Sequence, residues 1–240
     1  MHRFFADENG IRNGYARLEA EDAAHALRVL RLKPGDDIQL YSGGEAYSAR
    51  IADTADGVTV RILDVLPSPE PGLRVTLYQG VPKGDKMDYI VQKCTEAGIS
   101  RIVPVNMPRC VARLEKKDDK KTARWRRIAR EAAKQAFRPV TPEIGEPMSM
   151  EQLSQILKSH QLALVPWEDA REGTLRQLIT PALRDLALVI GPEGGMSPED
   201  VAPLFAAGAV PVTLGRRIFR TETAGLAALI GAMAFSHNLE

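Results

Sequence analysis

Cysteine is scarce in this chain: Cys94 and Cys110 are the only two among 240 residues, and four histidines are scattered along it. Without a Cys-x-x-Cys pair, neither a disulfide framework nor a zinc site is indicated, and no metal is expected. Both cysteines read as reduced, packed thiols. No apolar stretch reaches the roughly eighteen residues of a membrane span. The start, Met1 to Glu8, lacks the apolar centre of a signal peptide, so a cytoplasmic protein is expected. Two nucleotide signatures are also missing, the phosphate loop Gly-x4-Gly-Lys-Ser/Thr and the dinucleotide loop Gly-x-Gly-x-x-Gly after an early strand.

Net charge is almost absent too, at +1, but this total hides an uneven distribution. Residues 109–138 hold 12 basic against 4 acidic side chains, whereas residues 1–72 hold 8 against 12 and residues 139–240 hold 7 against 12. A block of +8 within thirty residues fits a polyanion contact, with a solvated helix face as the alternative. Within it, Trp125, Ile128, Ala129, Ala132 and Ala136 recur at helical spacing as an inward face. Arg127, Arg130, Lys134 and Arg138 follow at spacings of three and four, a row suited to a phosphate backbone.

The chain changes character at Pro67, Pro69, Pro71 and Gly72, a stiff linker that helices avoid. Before it, alternating runs at 36–41, 46–51 and 58–62, separated by glycine turns, predict a small antiparallel barrel, interrupted by one helix from Ala20 to Arg31. After it, runs at 75–79, 101–105, 162–165, 186–190 and 210–214 alternate with helical patterns, which predicts a parallel sheet covered on both faces. Ser197-Pro198-Glu199-Asp200 reads as a capped helix start, closed by Gly208. Domains are expected at residues 1–72 and 73–240.

Two segments stand beyond the carboxyl ends of the last strands, where open α/β sheets bind ligands. They are Gly191-Pro192-Glu193-Gly194-Gly195 and Leu214-Gly215-Arg216-Arg217-Ile218-Phe219-Arg220-Thr221-Glu222-Thr223-Ala224. Glycine there admits positive φ and close approach of a ligand to the backbone, although a plain tight turn has the same composition. Thr221 reads as the N-cap of a final helix that is apolar nearly all round, a helix to be buried in the chain or against a partner subunit.

Gly191 to Ser197, Leu214 to Ala224, Lys83-Gly84-Asp85-Lys86-Met87 followed by Lys93, and Val29 to Leu32 with Gly35-Asp36 closely resemble the bacterial ribosomal RNA methyltransferases that modify N3 of a uridine in small-subunit RNA. The resemblance spans nearly the whole chain. It implies an α/β fold, with a C-terminal SPOUT methyltransferase domain (a trefoil-knotted, mostly parallel sheet) preceded by a small PUA-like β-barrel that binds RNA. It also implies S-adenosyl-L-methionine as cofactor and a homodimer. The chain departs from the family pattern at Arg216, where proline is usual, and near Phe137, where glycine or cysteine is common.

On that resemblance the catalytic residues are Arg220, hydrogen-bonded to uracil O2 or O4, and Glu222, a candidate acceptor for the N3 proton. The alternative role for Glu222 is a helix-dipole contact in the first turn of the last helix. The cofactor would lie among Leu164, Pro166, Gly191, Pro192, Glu193, Gly195, Leu214, Gly215, Ile218 and Thr221. Ribosomal RNA, free or in the small subunit, would meet Arg3, Arg28, Arg31, Lys86, Arg109, Arg127, Arg130, Lys134 and Arg138. Two other readings fit the residues, a non-catalytic RNA binder on the same fold and a phosphate-ester enzyme using the glycine loop as an anion nest. The intact Arg220-Thr221-Glu222-Thr223 segment disfavours the first, and the missing lysine and acidic metal cluster disfavour the second.

Overall fold

The computed structural model describes residues 1–114 and 119–239, in two compact units. Unit one is Met1–Glu70 with Phe137–Val140, and unit two is Pro71–Ala136 with Thr141–Glu240. Lys116 and Lys117 of the basic block lie outside the described residues.

Unit one contains β1 (His2–Phe5), β2 (Tyr15–Arg17), α1 (Ala20–Ala24), β3 (Asp37–Ser42), β4 (Glu45–Asp53) and β5 (Thr59–Leu66), in the sheet order β1-β3-β4-β5-β2. β1 runs parallel to β3, a departure from the all-antiparallel barrel, while the other neighbours are antiparallel. The sheet curls until its two edges meet: Asp7 N–H donates to Arg17 O at 2.8 Å and Glu19 N–H to Phe5 O at 3.0 Å. Closure removes the open edges. Phe4, Leu18, Ile38, Leu40, Ile51 and Val60 fill the interior. The helix expected from Ala20 to Arg31 is shorter and irregular, because α1 passes into a π-helical turn, His25–Val29. Arg31 then takes φ +55, which ends the helix.

Unit two contains β6 (Arg74–Gly80), α2 (Lys86–Glu96), β7 (Arg101–Asn106), α3 (Asp119–Gln135), β8 (Glu143–Ile144), β9 (Met148–Ser149), α4 (Met150–Ile156), β10 (Leu162–Pro166), α5 (Leu175–Leu178), β11 (Asp185–Ile190), α6 (Pro198–Ala206), β12 (Val210–Val212) and α7 (Thr221–Phe235). The strands form one sheet, β12-β10-β11-β6-β7-β8, with β9 also on β7, and every pairing is parallel. Along each strand the side chains alternate between two cores. Leu186, Leu188 and Ile190 join one with α2, α3 and α7; Ala187 and Val189 join the other with α4 and α6. A sheet buried on both faces needs the continuous apolar runs seen here.

α6 starts as its sequence indicates, with Ser197 accepting from Asp200 N–H in a capping box and Pro198 in the first turn. Gly208 follows at φ +96. Among the described residues, no helix is long and apolar enough to cross a membrane. Burial pushes the Cys94 thiol up to about 12, so it is a packed hydrophobe rather than a nucleophile.

Candidate active site

β10, β11 and β12 lie side by side and end together, and the loops that leave them enclose a cavity of about 440 Å³. Pro166 to Arg171 form one wall, Gly191, Pro192, Gly195 and Met196 a second, and Thr213 to Phe219 a third, with Thr221 and Ala224 of α7 at the base. This volume lies in the range of small-molecule sites, about 300 to 1,000 Å³. Glycine is required at two points of the wall. Gly195 has φ +67 and Gly215 φ +107, conformations that other residues rarely adopt. A Cβ added to Gly215 would meet no atom of the described residues within 4 Å, so among them the backbone there faces open space. Ile190, Met196, Leu214 and Ile218 make the lining partly apolar. A cavity that mixes apolar side chains with bare backbone suits a flat heteroaromatic ring joined to a polar tail.

A hydrogen-bonded thread fixes the base of this cavity. Buried Gln79, at the end of β6, donates through Nε2 to Thr221 Oγ1 at 2.9 Å, and Thr221 Oγ1 donates to Gly191 O at 2.6 Å. The thread joins central strand, last helix and glycine loop. This corrects the reading of Thr221 as an N-cap. Arg220 occupies that position without a side-chain cap, and the Thr221 hydroxyl is committed to the loop carbonyl instead.

Lys86 adds a second tie. Its Nζ lies 3.0 Å from Glu193 Oε1 and 3.1 Å from Glu222 Oε2, the latter an ion pair without hydrogen-bond alignment. Lys83 N–H also donates to Glu193, at 3.1 Å. The ammonium therefore clamps the glycine loop to the first turns of α2 and α7. A cation at a helix start opposes the helix dipole, so its partners rather than its own helix hold it there. Burial favours the neutral form of both carboxyls, yet backbone N–H groups and Lys86 outweigh it and hold both below their ordinary value. The Glu193 carboxylate foremost, and Glu222 after it, raise Lys86 against the opposing effect of burial.

The pH window follows from these directions. The carboxylates contribute stability above about pH 4.5 and lose it as pH falls through their lowered folded values. Lys86 contributes below about pH 10.5 and loses it above its raised value. Replacing Lys86 by Met leaves two half-buried like charges unpaired. Urea denaturation at pH 7 is expected to show a loss of about 2 kcal/mol, between exposed and buried ion pairs, and the loss should shrink as pH drops below 4.

The RNA methyltransferase domain family matches residues 68–233, and the RNA methyltransferase PUA domain family matches residues 18–63. The ribosomal RNA small subunit methyltransferase E of Bacillus subtilis is 34% identical over 222 residues, 88% of this chain and 87% of that one. The chain belongs to the ribosomal RNA small subunit methyltransferase E family. Its counterpart from Mycobacterium tuberculosis is 31% identical over 94% of this chain and 88% of its own length. A crystal structure of the Neisseria gonorrhoeae member bound to S-adenosyl methionine superposes with a TM-score of 0.80, at 32% identity, and covers 98% of this chain and 97% of that one.

In this member of the methyltransferase E family, the structure brings most of the expected cofactor residues to one place. Pro166, Gly191, Pro192, Gly195, Leu214, Gly215, Ile218 and Thr221 all line the cavity. Two do not. Leu164 is fully buried in the sheet core, and the Glu193 carboxylate turns to Lys86. Trp167, Glu168 and Met196 line it unforeseen, and Trp167 Nε1 donates to Met196 O at 2.9 Å. Gln79 was also unforeseen, because one amide in an apolar strand carries no motif.

Arg220 is exposed beside the cavity, and among the described residues its guanidinium has no hydrogen-bond or ion-pair partner. Lys86 is held between Glu193 and Glu222 rather than presented as a surface cation. Arg109 lies against the glycine loop, with Nη1 3.2 Å from Gly194 O. Arg127 and Arg130 are exposed on α3 and Lys134 is half-buried there. Arg138 does not continue their row. The helix ends at Gln135, and the buried Arg138 guanidinium makes two hydrogen bonds to Glu70, at 3.0 and 2.6 Å. Arg3, Arg28 and Arg31 are exposed on unit one; Arg28 lies in the π-helical turn and Arg31 beyond it, at φ +55.

Proposed function

We propose that this chain methylates N3 of a uridine in the small-subunit ribosomal RNA, with S-adenosyl methionine held in the strand-end cavity. The observation that carries this reading is the cavity itself, with its open glycine backbone and the exposed Arg220 beside it. When bound, the cofactor supplies an electrophilic sulfonium methyl group. Pro166, Gly191, Gly195, Leu214, Gly215 and Ile218 would hold it, mainly through backbone and apolar contact.

The N3 proton of uracil is weakly acidic, and its loss places negative charge on O2 and O4. Arg220 donates N–H to one of these oxygens and stabilises that charge as it develops. Glu222 is held ionised by a backbone N–H and by Lys86, against the effect of burial, and its reduced proton affinity makes it a poor base. It acts instead as a positioning residue that fixes the turn bearing Arg220, and the N3 proton passes to water. Arg127 and Arg130 of α3 meet phosphates and supply salt-sensitive affinity.

The working unit in this reading is a homodimer in the cytoplasm. α7 is not buried all round: Ile230, Phe235 and, beyond its end, Leu239 are 43%, 38% and 56% exposed, apolar residues that a second copy would cover. Incubating the protein with labelled S-adenosyl methionine and unmodified small subunits, then analysing nucleosides by mass spectrometry, is expected to yield N3-methyluridine. Label on a ribose or on another base would refute the assignment.

A further inference from the structure

Unit one holds a feature that methyl transfer does not use. Phe137 has φ +56, a left-handed conformation that a bulky side chain rarely adopts, and the residue is 46% exposed. Strain of this kind concentrates where a residue serves a ligand. The Arg3 guanidinium lies 4.2 Å from the centroid of the Phe137 ring. Gln39 fixes Arg3, accepting from its Nε at 2.8 Å.

The register of β1 on β3 pairs Arg3 with Gln39 and Phe5 with Tyr41. Phe4 and Leu40 between them point into the core, so the four alternate residues share the opposite face, on which Arg3 is exposed and Tyr41 is covered by its neighbours. Phe5 and Tyr41 are in edge-to-face contact, 5.3 Å between centroids, and line a cleft of about 550 Å³ with Tyr47 and Pro139. A flat aromatic ring, a planar cation on it, a carboxamide and an adjoining aromatic cleft are therefore gathered on one side of the barrel.

We infer that Phe137 and Arg3 form a stacking platform for one unpaired nucleobase of the RNA substrate. This rests on the reading above that RNA is the substrate. Unpaired bases are recognised by stacking on aromatic rings and guanidinium planes. Unit one is acidic as a whole, which disfavours a broad contact with duplex phosphates and favours a local one of this kind. Arg3 supplies the positive charge that the phosphate next to such a base requires.

The test uses the full chain and a fluorescent single-stranded RNA dodecamer of mixed sequence, followed by anisotropy at fixed salt. Phe137→Ala is expected to weaken binding about tenfold, the ordinary worth of one stacked base. Phe137→Trp should keep wild-type affinity, and its added emission should be quenched by the RNA. Phe137→Gly should match the Ala variant in RNA binding while melting no lower than it, since glycine accepts the positive φ without strain. Calorimetric affinity for S-adenosyl methionine should be the same in all four proteins. Equal RNA affinity in wild type and Phe137→Ala, with cofactor binding intact, would overturn the platform alone. Quenching of the Trp variant by a basic peptide but not by RNA would overturn it in favour of a protein partner. Failure of the wild type to bind cofactor would count against the methyltransferase reading and not against the platform.

Discussion

Replacing Gly80 by Ala is expected to cut affinity for S-adenosyl methionine about a hundredfold, although Gly80 does not line the cavity. The added Cβ would lie 2.7 Å from Pro192 N, 2.8 Å from Pro192 Cδ and 3.0 Å from Gly191 C. These are backbone and ring atoms, which cannot rotate away, so the loop or the end of β6 must move. The Gln79 to Thr221 to Gly191 thread begins one residue earlier and would be stretched with it. A displacement of about 1 Å in a positioned site typically costs about a hundredfold. Overpacking should also lower stability by about 1–3 kcal/mol. Calorimetry and urea denaturation on the same preparation read both effects. Unchanged cofactor affinity in a folded Gly80→Ala protein would show that the glycine loop is not part of the cofactor site.

Arg220→Ala is expected to lower kcat by about 10² to 10³, the usual consequence of removing one donor that stabilises developing negative charge. Cofactor affinity should stay within about twofold, because Arg220 is not among the residues that line the cavity. Stability should shift by no more than about 0.5 kcal/mol, as for other exposed side chains without partners. Arg220→Lys keeps the charge but loses the planar fork, so partial recovery of kcat is expected. Single-turnover methylation of unmodified small subunits separates chemistry from product release. If Arg220→Ala raised KM for the subunit and left kcat unchanged, the residue would be an RNA anchor and not a group at the reacting base.

How much of this was legible in the sequence varies with the range of the interaction. β6, β7, β10 and β11 are runs of apolar residues bounded by turn formers, and their positions follow from composition alone. Their shared termination at one cavity follows from parallel pairing, a rule that also applies to the sequence. β1 and β2 were not foreseen, since they are short and carry polar side chains. The Lys86 clamp was not foreseen either. Its three members come from motifs more than a hundred residues apart in the case of Lys86 and its two carboxylates, and each had a plausible local role alone. Arg138 shows the same gap: helical spacing assigned it to a surface row, but the helix stops short and Glu70 takes the side chain inward. Gly80 carries no motif and no unusual φ, so only the approach of Pro192 reveals why a side chain is excluded there.

The central claim is that the bends after β10, β11 and β12 enclose a sulfonium cofactor next to Arg220. A crystal structure of the protein grown with S-adenosyl methionine tests it most directly. Density for the adenosine and methionine portions between Pro166, Gly191 and Gly215, with the methyl group turned toward Arg220, is the predicted result. Clear density for the cofactor elsewhere on the protein, with these bends left open, would contradict it.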